Sequence, residues 1–305
     1  MRLAWAIHDA VLNGVRVLVV TIGVVSLAAS ASAEVLCRTR SGTVKIRDTC
    51  RKKETRVDLA QIGVVPPTPP DTPDQVRAKF FSGTACPGND PADVMVRVGD
   101  VCVDVYESSV WSGPAGGNQY GVVSGDYPCR PDGGDCTAIY ARSVAGVLPS
   151  RYITWFQAQQ ACRNAGKRLL TNAEWQAAAA GTPDPGNAGD GITTCNTNTT
   201  GPKEAGRATA CVSAAGVRDM VGNVWEWVAD WEQPGISCTD WGAFSDDRMC
   251  LALFQTGTGN AASQPAAPGR GGNWSLGTDA GALAFDATLE VTTVAYLSYG
   301  LRCAR

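Results

Sequence analysis

The sequence predicts an α+β fold in which irregular loops outweigh helices and strands. The 305 residues include 34 glycines and 17 prolines, and charged residues make up only 18%, which is typical of a loop-rich globular chain. Short alternating segments come first, two segments of helical periodicity follow, and short strand-like segments separated by loops complete the order. The chain also has twelve cysteines, which predict that disulfides stabilise this irregular structure.

The first segment, 1–33, has the pattern of an export signal. Arg2 precedes an apolar core at 17–29, and Ala-Ser-Ala follows at 31–33. The core is shorter than the roughly 20 apolar residues that span a bilayer, so we expect a cleaved secretory signal; an uncleaved anchor is the alternative. We therefore expect a secreted, periplasmic or cell-surface protein with no transmembrane span after cleavage.

Three further regions follow the signal. Residues 34–63 alternate as two strands around a Ser-Gly turn and predict a small disulfide-clipped hairpin module. Residues 64–75 are proline-rich and predict a semi-rigid linker. Residues 76–305 are expected to form the main domain.

The cysteines are even in number and all follow the signal, so disulfides are the expected state. No two have the C-x-x-C spacing of a redox pair or zinc knuckle. Ten are near neighbours along the chain, and pairing them locally leaves two for one long-range bridge, although sequence alone does not fix connectivity. The expected pairs are Cys37–Cys50, Cys86–Cys102, Cys129–Cys136, Cys195–Cys211, Cys238–Cys250 and Cys162–Cys303.

Within the main domain, local signals indicate the elements in order. Residues 95–111 alternate as strands around a Gly-Asp turn at 99–100. Residues 153–166 have helical periodicity and end at Gly166, a residue suited to the position after a helix. Residues 171–181 predict a second helix, because Thr171 and Glu174 have capping-box spacing. Short strands separated by long loops are expected from there to Arg305.

Two absences exclude classes of function. The net charge is −3, so no broad basic surface is offered to nucleic acid. The single histidine is His8, inside the predicted signal. Histidine general bases, Ser-His-Asp mechanisms and histidine metal sites are therefore excluded for the mature chain.

The segment 218–231, RDMVGNVWEWVADW, carries the most specific pattern. In a strand, Trp225 and Trp227 point to one face and Glu226 to the other. Asp219 and Glu226 flank a Gly-Asn turn, so two carboxylates and the carbonyls between them offer oxygens that suit calcium. A tryptophan-rich core strand is the alternative for the two rings.

Together with ITWFQAQQACRNAGKRLLTNAEWQAAAAG (153–181), RGGNW (270–274) and YGLRCAR (299–305), this segment resembles the formylglycine-generating enzyme, or sulfatase-modifying factor, family. The resemblance covers most of 92–305. It implies a C-type-lectin-like fold with little regular structure, two helices and short antiparallel strands. It also implies a calcium site formed by Asp219, Gly222, Val224 and Glu226, with Asp219 where the family commonly has asparagine.

The family's chemistry is not expected here. The resemblance implies that its catalytic members bind copper through two cysteines after the Gly-Gly motif, and those positions fall near Leu276 and Gly281, neither of which is cysteine. Copper(I) prefers thiolates, so we expect neither copper nor formylglycine-generating activity, and we expect no catalytic residue. The alternatives left open are an altered oxidase or hydroxylase acting on a protein side chain, and a structural surface component attached through 34–63.

The segment 273–299 mixes aromatic, hydroxylated and small residues, as adaptable binding surfaces do. It also resembles the variable segment of proteins made by diversity-generating retroelements, although an ordinary, unvaried member of the same family is slightly favoured over that interpretation. We expect an exported, non-catalytic protein that binds a protein or glycan ligand outside the cell. The expected ligand-binding residues are Trp274, Ser275, Leu276, Asp279, Asp286, Thr288, Glu290, Tyr296 and Ser298.

Beyond this segment, Arg302 is expected to pair with a buried carboxylate or to donate to backbone carbonyls.

Overall fold

The computed structural model describes residues 4–12, 15–23, 35–38, 40, 44–47, 49–56, 86, 90, 92–235, 237–251, 265–291 and 296–305. The chain divides into two compact units, Met1–Pro70 and Asp71–Arg305. The predicted linker at 64–75 lies outside the described residues. Within those residues, no helix combines the length and apolar character needed to cross a bilayer.

The first unit contains five strands. Strands β1 (Ala4–Leu12) and β2 (Val15–Gly23) pair antiparallel, with Ala4 opposite Gly23. Strands β3 (Val35–Arg38), β4 (Val44–Arg47) and β5 (Thr55–Arg56) form an antiparallel sheet in the order β4-β3-β5. A third strand thus extends the predicted hairpin. The Cys37–Cys50 disulfide joins β3 to the segment that follows β4. Signal cleavage after residue 33 stays a prediction.

The strands of the second unit are β6 (Met95–Val98), β7 (Val101–Asp104), β8 (Ser109–Gly113), β9 (Gly116–Tyr120), β10 (Tyr140–Arg142), β11 (Arg168–Leu169), β12 (Trp225–Trp227), β13 (Met249–Cys250), β14 (Gly269–Arg270), β15 (Phe285–Asp286), β16 (Tyr299–Leu301) and β17 (Cys303–Ala304). In the described part of this unit they form three small sheets. The first has the order β11-β17-β7-β6, the second β10-β8-β9 and the third β13-β15-β14-β12-β16. Most pairings are antiparallel, whereas β12–β16 and β13–β15 are parallel.

Two helices lie where the sequence predicts them. Helix α1 is Trp155–Asn164 and α2 is Asn172–Ala179. The predicted capping box of α2 is present, with Thr171 accepting from the Glu174 amide and Glu174 accepting from the Thr171 amide. A second capping box, at Thr154, begins α1. Gly166 follows α1 with a φ of 69°, a left-handed conformation that glycine adopts at little cost.

Two clusters of buried side chains form the core around these helices. The first joins the inner face of α1 to the tryptophans of β12 and to Tyr299. The second joins Trp175 of α2 to β7 and to residues 215–220. All twelve cysteines are bridged, in the six pairs that the sequence predicts. The predicted loop-rich, disulfide-bonded α+β class is confirmed.

Candidate ligand-binding site

Strand β12 separates two aromatic side chains from one charged side chain. The ring centroid of Trp227 lies 4.5 Å from that of Tyr299, and the ring of Trp225 stacks on the same tyrosine at 5.8 Å. Glu226 points away from them, because successive side chains of a strand alternate. The predicted alternation of side chains along β12 is confirmed, and as a result the Glu226 carboxylate lies buried in the core.

A buried ion pair holds Glu226 in the core. Arg302 is fully buried, and its Nη2 lies 2.6 Å from Glu226 Oε1. The indole N–H of Trp175 donates to Glu226 Oε2 at 2.7 Å. Arg302 also donates to the carbonyls of Asp104, Val105 and Arg218 at 2.8–3.0 Å. Arg302 therefore does both things that the sequence left as alternatives.

Two further carboxylates lie buried near this pair. Asp219, at a φ of 59°, accepts from the Gly206 amide at 2.5 Å. Burial raises its pKa to about 6. Glu107 accepts from the Asn223 side chain and, at 3.0 Å, from the Val224 amide. Burial, followed by the charges of Asp219 and Glu226, raises the pKa of Glu107 well above its usual value.

This cluster fits the predicted calcium ion in charge but only partly in geometry. Three buried carboxylates, Glu107, Asp219 and Glu226, lie near one buried guanidinium. A divalent cation would favour the charged forms of Glu107 and Asp219, which burial disfavours. However, the carboxylate of Glu226 already accepts from Arg302 and Trp175. The ligand set Asp219, Gly222, Val224 and Glu226 therefore stays a prediction.

The segment 270–274 is joined to the turn before β12. The Gly222 amide donates to the Gly271 carbonyl at 2.9 Å, and the Trp274 amide donates to the Asn223 carbonyl at 3.1 Å. Gly271 and Gly272 have φ values of 88° and 84°. A Cβ on Gly272 would lie 2.6 Å from the Ala280 Cβ, so both conformation and space require glycine there.

Arg270 fixes the same segment to helix α2. It is 4% exposed and donates to Asn172 Oδ1 at 2.6 Å, to Gln176 Oε1 and to the Ala282 carbonyl at 2.9 Å. Its guanidinium lies 4.7 Å from the Trp175 ring centroid. Burial lowers its pKa to about 10, and Arg270 thereby links the start of the predicted ligand segment to the second core cluster.

The two positions that the resemblance assigns to catalytic cysteines have a different environment here. Leu276 is half-buried, and Gly281 is buried. A Cβ on Gly281 would lie 2.2 Å from both carboxylate oxygens of Asp247. The Asp247 side chain therefore occupies the space that a side chain at 281 would need.

Seven of the nine predicted ligand-binding residues reach the surface. Ser275 and Tyr296 are exposed. Partial exposure is shared by Leu276, Asp279, Thr288, Glu290 and Ser298. Trp274 and Asp286 are corrections, because they are only 7% exposed. The Trp274 ring lies 5.8 Å from the Arg151 guanidinium, and Asp286 Oδ1 accepts from Thr288, so both residues support the surface from beneath.

Comparison with known proteins now assigns the family. A family model described as the sulfatase-modifying factor enzyme 1-like domain matches residues 129–305. The chain belongs to this family. Hercynine oxygenase of Mycolicibacterium thermoresistibile is 28% identical over 163 residues, covering 49% of this chain and 34% of that protein. Hercynine oxygenase of Mycolicibacterium smegmatis is 27% identical over 137 residues, covering 41% and 32%. The chain spans about a third of the length of these relatives.

Two solved structures show a low similarity to this sulfatase-modifying factor chain. The M1 variant of the Major Tropism Determinant matches with a TM-score of 0.44 and 17% identity, covering 89% of this chain and 71% of that chain. The P3c variant matches with a TM-score of 0.43 and 19% identity over the same shares.

Sequence reasoning about this sulfatase-modifying factor domain missed two groups of residues. The Asn223 side chain donates a hydrogen bond to the Glu107 carboxylate across a separation of 116 residues. No local sequence pattern predicts a contact of this length. The loop closed by Cys238–Cys250 lies against 279–285, since the Arg248 amide donates to the Asp279 carbonyl at 2.9 Å. The cysteine spacing indicated the closed loop but not its neighbour.

Proposed function

We propose that this chain is an exported, ligand-binding member of the sulfatase-modifying factor family, with its ligand surface on the exposed part of 273–299. The supporting observation is the replacement of the family's thiol pair. By the resemblance, the two positions fall near Leu276 and Gly281. Asp247 fills the space beside Gly281, and all twelve cysteines are bridged. Copper(I) requires soft ligands such as thiolates, so these residues suit binding better than oxidation.

The exposed side chains support a surface for a protein or glycan. Ser275, Thr288 and Ser298 offer hydroxyls, and Tyr296 is 38% exposed. Tyrosine and serine together give contact area and adaptable hydrogen bonds at low entropic cost. Beneath them, Trp274 and Asp286 are buried and hold the segment in place.

The test is binding of the labelled full chain to glycan and peptide arrays. Ser275→Trp and Thr288→Trp add bulk at accessible positions, so each should abolish the array signals of the wild type. Val123→Trp is the matched control, because Val123 is 61% exposed and lies outside 273–299, and it should leave the signals unchanged. Array signals that persist in both Ser275→Trp and Thr288→Trp would contradict the proposed surface.

One observation favours the reaction class of the second candidate, which is an oxidase or hydroxylase acting on a protein side chain. The chain is 28% identical over 163 residues to a protein named hercynine oxygenase, and this likeness supports oxygenase chemistry but not a protein substrate. A mass-spectrometric assay on cysteine-containing peptides, with copper or iron and oxygen supplied, separates the candidates. Turnover of a peptide side chain by the full chain would overturn the binding proposal, and an unchanged peptide supports it.

A further inference from the structure

The loop 238–250 exposes two aromatic rings on a disulfide-closed frame. Phe244 is 79% exposed and Trp241 is 37% exposed. Their turn is held by two backbone bonds, from the Trp241 amide to the Ser245 carbonyl at 3.0 Å and from the Phe244 amide to the Trp241 carbonyl at 3.3 Å. Burying such rings is strongly favourable, so a partner that covered them would gain binding energy.

This loop is continuous with the proposed ligand surface. Strand β13, at its end, pairs with β15. The Trp241 indole donates to the Leu283 carbonyl at 3.2 Å, and the Leu283 amide donates to Asp247 Oδ2 at 2.6 Å. A ligand that rests on the exposed part of 273–299 therefore meets the aromatic loop at its side.

The charge beside the rings is negative. Asp184, Asp246 and Asp247 place one carboxylate oxygen each within 4.8 Å of one another. Across the part of the chain that the structure describes, none of these three forms an ion pair with lysine or arginine. Burial, then the charges of Asp247 and Asp246, raises the pKa of Asp184 to about 6. The carboxylates thus lack the compensating charge that a cationic partner would supply.

The two nearby arginines are already engaged. Arg248 Nε lies 3.8 Å from Asp286 Oδ2 and 3.2 Å from the Cys250 sulfur. Arg270 is 4% exposed and bonded to helix α2. The charge of Arg270 acts on the buried Asp247. Among the described residues, neither arginine forms an ion pair with the exposed Asp184 or Asp246, so these two carboxylates keep the exposed surface negative.

We propose that Trp241, Phe244 and Asp246 form a docking surface for an arginine- or lysine-bearing segment of a protein partner. The proposal rests on the proposed function, since it extends the same ligand surface and names the partner's chemistry. A guanidinium stacks on aromatic rings and pairs with carboxylates. A metal ion would use the carboxylates alone, and a neutral glycan would leave their charge without a partner. The combination of rings and carboxylates favours the cationic side chain.

The test is an NMR titration of the ¹⁵N-labelled full chain with an acetylated, amidated Arg-Gly-Arg peptide. Amide shifts should change within 238–250 and around Asp184. The same peptide with citrulline in place of arginine keeps the shape but loses the charge, so it should bind at least about 3-fold more weakly.

Substitutions then separate the rings from the charge. Phe244→Ala should weaken binding about 3-fold to 5-fold, and Asp246→Asn about 2-fold to 5-fold at low salt, with less effect at high salt. Val123→Ala and Asp132→Asn are the controls, because their side chains are exposed and lie outside the loop; neither should alter binding.

Three results would overturn the proposal: equal binding of the citrulline peptide, shifts confined to other regions, or binding that Phe244→Ala leaves unchanged. The proposal would also be overturned, in favour of a metal site, if calcium shifted the same amides and Phe244→Ala did not change binding of the arginine peptide. If Ser275→Trp and Thr288→Trp block array ligands but the loop variants have no effect, the loop proposal fails alone. If oxidation of a peptide side chain is found, the proposed function fails instead.

Discussion

The buried pair of Arg302 and Glu226 gives the sharpest test of how the site is held. Arg302→Met removes the guanidinium and keeps a side chain of similar length. Glu226 would then lie buried at 1% exposure with only the Trp175 indole as donor. Breaking a buried pair from one side costs about 3–5 kcal/mol, a large share of the stability of most domains.

The size of the loss depends on the carbonyls as well as the charge. Arg302 donates to three backbone carbonyls in addition to Glu226, and each lost bond adds about 1 kcal/mol. The double variant Arg302→Met with Glu226→Gln removes both charges, so it should lose less than Arg302→Met alone. In this double variant the three backbone carbonyls still lack their donor, so its free energy of unfolding should stay below that of the wild type.

Urea unfolding followed by tryptophan emission measures these differences. Arg207→Ala is the matched control, because its ion pair with Glu204 is exposed, with side-chain exposures of 48% and 40%. Such pairs contribute less than about 1 kcal/mol. If Arg302→Met lost no more than this control, the reasoning that the pair anchors β12 would be refuted.

Three further predictions follow from the same region. Asp219 has a pKa near 6 when folded and 3.8 otherwise, so the stability it contributes when protonated is lost as pH rises through about 6. Asp219→Asn should make stability depend less on pH and should raise the free energy of unfolding at pH 7 by on the order of 2 kcal/mol, as measured by urea unfolding. Separately, added calcium should raise the Tm of the wild type but not the Tm of Asp219→Ala. An unchanged wild-type Tm would contradict the calcium site. Replacing Cys162 and Cys303 with serine opens a loop of 141 residues and should cost about 5 kcal/mol in the same melts. Gly281→Ala places a Cβ 2.2 Å from Asp247 and should lower the free energy of unfolding by about 1–3 kcal/mol. The double variant with Asp247→Ala should lose less. An unchanged unfolding curve for Gly281→Ala would contradict this packing.

The sequence predicted what local signals specify. Thr171 and Glu174 lie three residues apart, so their capping box could be identified without any tertiary contact. Gly166 marked the end of α1 for the same reason. The six disulfides followed from short spacings and from the two cysteines that remained. Each of these features needs only a few neighbouring residues or a count.

The sequence could not predict the contacts made between loops. Glu107 meets Val224 across a separation of 117 residues, and Asp247 meets Gly281 from another loop. Loops have no periodicity from which a face can be assigned. Trp274 was predicted to contact ligand because it is aromatic and follows the glycine turn. It is only 7% exposed, and its ring lies 5.8 Å from the guanidinium of Arg151, which is far away in the chain.

The way in which 273–299 is fixed explains how its surface could change without loss of the fold. The Thr199 amide donates to the Trp274 carbonyl at 2.6 Å, and the Gly277 amide donates to the Thr197 carbonyl at 2.8 Å. These bonds use main-chain atoms, so they survive substitution at the exposed Ser275. The side chains that the fold requires, such as Trp274, point inward. In this segment, main-chain atoms therefore hold the fold while the side chain of Ser275 remains exposed.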